Sequence, residues 1–88
     1  MITSRDRIAA AVVNNKIYVF GGRNSNGFLS TVEVYDPLTD TWSIKTSMPT
    51  QREGLVSAVV INKIYVIGGC NNSGAISVVE MYDPTLDP

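Results

Sequence analysis

Lys16-Ile17-Tyr18-Val19-Phe20-Gly21-Gly22 is the stretch that decides the fold. Ile17 and Val19 point one way from an extended chain, Tyr18 and Phe20 the other. Both faces are therefore apolar, and the strand needs cover on both sides; a sheet with one wet face would alternate apolar with polar. The glycine pair ends the strand, since paired glycines allow positive φ or close approach of neighbouring chain. The same pattern returns as Lys63-Ile64-Tyr65-Val66-Ile67-Gly68-Gly69, displaced by 47 positions throughout (64 − 17 = 47). Two copies of one structural unit lie in tandem.

Outward from this strand, each copy reads the same way. Residues 8–13 are apolar and mostly small, and close on Asn14-Asn15, a hairpin turn signal. They form strand a, residues 16–20 strand b. The polar loop Arg23-Asn24-Ser25-Asn26-Gly27 leads to strand c at residues 31–35. Asp36-Pro37-Leu38-Thr39-Asp40 is a turn, and Trp42-Ser43-Ile44-Lys45 a short strand d. The second copy gives strand a at 55–61, strand b at 63–67 and strand c at 77–82, and has neither tryptophan nor strand d. The units divide as residues 1–47 and 48–88.

Composition narrows the function classes. A hydrophobic fraction of 44% against 17% charged residues argues for a folded chain. At 88 residues there is material for one small domain. The net charge of −1 offers no electrostatic case for nucleic acid or an anionic membrane. No apolar run reaches the roughly 18 residues of a membrane span, and the polar residues 1–7 do not read as a signal peptide, so a cytoplasmic location is expected. Cys70 is the single cysteine, which rules out an internal disulfide framework. Histidine, the commonest general base and metal ligand, does not occur. Neither a metal nor another cofactor is expected.

A four-strand unit of this period, with Gly21-Gly22 or Gly68-Gly69 after strand b, Tyr35 or Tyr82 in strand c and Trp42 in strand d, resembles the kelch repeat, one blade of a β-propeller. The resemblance implies an all-β fold of four-stranded antiparallel blades, with strand a nearest the central axis and strand d at the rim. It places Trp42 between blades or against the glycine pair, where replacing a buried Trp costs about 3–5 kcal/mol. Two blades share one interface and leave two apolar faces open. Kelch propellers usually have six or seven blades, so three copies of the chain closing a ring is the simplest assembly, a homotrimer; blades from a longer chain are the other way to cover those faces.

In the kelch family the d-to-a and b-to-c loops emerge on one face, which in many members binds proteins. Arg5, Arg7 and Arg52 fall in the first loop set and Arg23 in the second, a cluster of charged forks suited to carboxylates on a peptide. The competing reading is that these arginines are solvated or pair with Glu33 and Glu80. Asn24 and Asn71, with Ser25, Asn26, Asn72 and Ser73, give the b-to-c loops ligand-binding capacity, although turn chemistry alone accounts for most of them. Glu33 and Glu80 read as structural acids rather than a catalytic pair. Asp36, Asp40, Asp83 and Asp87 belong to turns, since an EF-hand spacing is missing. The expected function is a non-enzymatic protein-interaction module. A self-assembling structural unit without a ligand is the alternative. An enzyme of the kelch-like oxidase or isomerase type is disfavoured, because oxidase chemistry calls for histidine ligands.

Overall fold

The computed structural model describes residues 5–86. Strands β1 (Ala9–Val13), β2 (Lys16–Phe20), β5 (Val32–Asp36) and β6 (Thr41–Lys45) form a four-stranded antiparallel sheet in chain order, the first blade. Strands β7 (Val56–Val60), β8 (Lys63–Ile67) and β11 (Val79–Tyr82) form a three-stranded sheet, the second blade, which has no fourth strand among the described residues. Two short ribbons, β3 (Arg23–Asn24) with β4 (Gly27–Phe28) and β9 (Cys70–Asn71) with β10 (Gly74–Ala75), make the b-to-c loops. A single 3₁₀ turn, Pro84–Leu86, follows β11. The fold is all-β, built of propeller blades, as the sequence predicts.

The registers show why strand b is apolar on both sides. Tyr18 pairs with Ala11 and Val34, and Phe20 with Ala9 and Val32, so these residues share one face of the first blade. That face meets Ile64 and Val66 of the second blade, and together with Val13, Met48 and Leu55 they form the buried core. Tyr82 closes the core edge, its ring 5.8 Å from those of both Tyr18 and Phe20. The core is thus the interface between blades, not the inside of either. The inner strands β1 and β7 are neighbours across it, and Ser57 Oγ donates to Ala10 O at 2.6 Å. Small side chains along β1 allow this convergence.

The opposite faces meet no further sheet among the described residues. On the first blade this face carries Ile17, Val19, Glu33, Tyr35, Trp42 and Ile44; on the second, Ala58, Tyr65, Ile67, Val79 and Met81. Val12, Ile44, Val56, Val60, Val79 and Met81 are all exposed. By the 47-residue shift, the open face of the first blade corresponds to the covered face of the second, and the reverse.

One expectation is sharpened and one changes. Trp42 lies on the face of the first blade turned away from the second, and is not among the groups nearest the glycine pair. It stacks on Tyr35, ring centroids 5.0 Å apart, on the open face, and is only half-buried. A blade standing before the first would be needed to bury it, so its removal costs less than the full value for a core tryptophan. Ile61, read as the end of strand a, instead forms the β7–β8 turn with Asn62; both have positive φ (48° and 62°), as Asn14 and Asn15 do in the first blade (53° and 64°). Hairpin geometry overrides the β preference of isoleucine here, because a two-residue turn with two positive φ values matches strand twist.

Candidate functional site

The d-to-a connection between the blades is the segment that organises the loop face. Its backbone is laced to the first blade: Met48 N donates to Ser30 O, Arg52 N to Leu29 O, and Gly22 N to Arg52 O, at 2.8, 3.1 and 2.9 Å. Gly21 has a φ of 63°, and a Cβ placed there would lie 2.6 Å from Arg52 O. Only glycine lets the connection lie this close. One residue later the connection belongs to the second blade, where Glu53 and Cys70 exchange both backbone hydrogen bonds at 3.0 Å. In the first blade Asp6 and Arg23 make the same bridge.

From that anchored backbone the Arg52 side chain enters the second blade. It donates to Gly68 O at 3.0 Å, Val78 O at 2.8 Å and Glu80 Oε1 at 2.5 Å. Arg5 makes the corresponding set in the first blade, to Gly21 O and Thr31 O at 2.9 Å and Glu33 Oε1 at 2.5 Å. Both guanidinium side chains are fully buried. These arginines thus make the pairing with Glu33 and Glu80 that the sequence offered as the competing reading. The carboxylates, otherwise costly beneath apolar strands, are held by two-pronged charged donors. Thr50 Oγ1 adds a hydrogen bond to Glu80 Oε2 at 2.7 Å.

Arg7 and Arg23 are different. Their side chains are about half exposed and converge on the buried Glu53 carboxylate, with Nε 3.3 and 3.5 Å from Oε2. Neither closes to a hydrogen bond on Oε2. Cys70 Sγ approaches Glu53 Oε1 at 3.7 Å. One carboxylate therefore gathers side chains from the d-to-a loop of the first blade and from the b-to-c loops of both. Sequence reading missed Glu53, which lacks any motif; its equivalence to Asp6, next to the arginine rows, was the available signal.

Beside this cluster lies a cavity of about 490 Å³ lined by Arg5, Asp6, Arg23, Asn24, Ser25, Gly27 and Phe28. Asn24 Oδ1 accepts from Asn26 N at 2.9 Å, and Asn71 Oδ1 from Ser73 N at the same distance, so both shape their turns. The Asn71 amide nitrogen is also held by Gln51 O at 2.8 Å. Arg7, Arg23 and Asn24 share the loop face; Asn71 sits on the loop of the next blade. No helix among the described residues is long and apolar enough to cross a membrane.

Comparisons with known proteins agree with this architecture. An F-box/kelch-repeat protein of Arabidopsis thaliana is 47% identical over 53 residues, 56% of this chain and 11% of that protein. Kelch-like protein 38 of Danio rerio is 50% identical over 46 residues, 47% of this chain and 8% of that protein. The chain thus spans only about a tenth of the length of these relatives. Among solved structures, that of YjhT superposes with a TM-score of 0.69 and 34% identity, covering 76% of this chain and 21% of YjhT. The family described as Kelch motif matches residues 4–49 and again residues 51–87, one match for each blade, and to that family the chain belongs.

Proposed function

We propose that the chain is a non-enzymatic protein-interaction module whose ligand face is formed by the d-to-a and b-to-c loops. The carrying observation is the pair Arg7 and Arg23, half-exposed and drawn together over Glu53 beside the 490 Å³ cavity. Their planar forks suit carboxylates of an acidic peptide. Asn24 adds an adaptable polar contact and Asn71 extends the face toward the second blade. Arg5 and Arg52 contribute by fixing the blades beneath these loops. The test is binding of an acidic peptide library to the wild-type chain and to an Arg7→Ala/Arg23→Ala variant with an unchanged circular dichroism spectrum. Loss of binding in the variant supports the reading; equal binding refutes it.

A second reading concerns assembly, and the complementarity of the two unlike open faces favours it. The second blade exposes the kind of face by which the first blade holds it, so another copy can add head to tail through the interface already present within the chain. Three copies would supply six blades and close a homotrimer. Light scattering decides this: a folded monomer at high concentration rules the trimer out.

A further inference from the structure

The two b-to-c loops fold alike and differ in one chemically important place. In the first, Ser25-Asn26 joins β3 to β4, and Asn26 N donates to Asn24 Oδ1 at 2.9 Å. In the second, Asn72-Ser73 joins β9 to β10, and Ser73 N donates to Asn71 Oδ1 at 2.9 Å. Gly27 and Gly74 follow, with φ of 115° and 99°. Ser73 thus holds the place of Asn26 (26 + 47 = 73) and makes the same turn. The turn uses the backbone N–H of this residue and does not call for an amide side chain on it.

That amide is placed to react with its own chain. Asn26 is exposed, and no hydrogen bond among the described residues engages its side chain. The side chains of Asn24 and Asn71, by contrast, are both engaged. Gly27 has no side chain to shield its backbone nitrogen, and even a Cβ placed there would meet nothing within 4 Å. The ribbon is two residues long on each side, too short to hold its tip against local opening.

We propose that Asn26-Gly27 is a self-deamidation site that turns an amide into a carboxylate on the loop face. Gly27 N attacks Asn26 Cγ. Its proton leaves with the side-chain nitrogen as ammonia, and a five-membered succinimide closes. Water adds to one ring carbonyl or the other and reopens the ring, as aspartate or as isoaspartate. Net charge moves from −1 to −2 (−1 − 1 = −2). The new charge arises in the same ribbon as Arg23, and Gly27 and Arg23 line the same 490 Å³ cavity. There it competes with a ligand carboxylate for the guanidinium and repels an acidic peptide. This effect on binding, but not the reaction itself, rests on the arginine-face reading.

The test ages the full chain at mildly alkaline pH and follows every asparagine by peptide mapping with mass spectrometry. Asn26 should convert at least tenfold faster than the other asparagines, each of which precedes a residue with a side chain. Fluorescence anisotropy with a labelled oligoglutamate peptide should show affinity falling severalfold as the wild-type chain ages, toward that of Asn26→Asp. The affinity of Asn26→Ser, which copies the second loop, should stay constant with age. Two outcomes overturn the proposal. One is conversion of Asn26 no faster than that of the other asparagines. The other is fully converted protein binding the peptide as tightly as fresh protein while Arg7→Ala/Arg23→Ala does not. Equal binding by Arg7→Ala/Arg23→Ala and wild type counts against the arginine face instead, and the mapping then decides the deamidation site by itself.

Discussion

Arg52 is bonded through its backbone to one blade and through its guanidinium to Glu80 of the next. It works as a rivet between the two sheets, alongside their apolar core and the Ser57–Ala10 hydrogen bond. Removing one member of a buried pair leaves the other charged and unpaired, at about 3–5 kcal/mol. Arg52→Ala should therefore lower stability by that order in urea unfolding. The Arg52→Ala/Glu80→Ala double variant should lose less than the two single losses added together. Arg52→Lys should rescue poorly, because one ammonium cannot reach Gly68 O, Val78 O and Glu80 as a fork does.

Gly21 and Gly68 occupy the same place in their repeats, with φ of 63° and 68°, yet differ in surroundings. A Cβ on Gly21 meets Arg52 O at 2.6 Å, whereas on Gly68 its nearest neighbour is Ile76 O at 3.6 Å. Both alanine variants suffer left-handed strain of about 1–2 kcal/mol. Gly21→Ala should cost clearly more, because backbone must also move. Thermal unfolding of the two variants side by side measures the difference.

Ile61 is a β-branched residue at φ 48° in an exposed turn, where its counterpart in the first blade is Asn14. Asparagine tolerates this region and isoleucine does not. Ile61→Asn should raise stability by about 1 kcal/mol, read as a higher urea midpoint with an unchanged slope.

Tyr35 Oη donates to Asp40 Oδ1 at 2.5 Å, and this bond, with the neighbouring Asp40 and Asp36 charges, holds the phenol above its ordinary value of 10.0. The folded chain thus keeps the phenolic proton more firmly than the unfolded chain. The contribution to stability is complete below pH 10 and fades as pH climbs through the raised value. Ultraviolet titration should show a late-ionising tyrosine, and Asp40→Asn should return it toward 10.

How much of this was legible in the residues depended on which ones repeat. Gly21-Gly22 and Gly68-Gly69, with Tyr35 and Tyr82, give blades, strand order and the two-faced strand b, because each is a local requirement written twice. Arg5 and Arg52 were visible as a repeated pair, but their destination was not. Whether a fork points outward or reaches back to a carboxylate 28 residues on is set by how the connection lies against the glycines, a tertiary fact. Glu53 had no local signature, since its partners come from three loops. Trp42 was recognisable as a blade residue, but its burial depends on a neighbouring blade rather than on its own strand.

The difference between the two open faces gives the molecule a direction. The surface on the first blade and that on the second are unlike, so adding a copy through the interface already present within the chain is a head-to-tail step rather than a two-fold one. In the proposed head-to-tail assembly, every copy added arrives in the same sense and leaves the same two unlike ends behind it, until a ring returns to its starting blade.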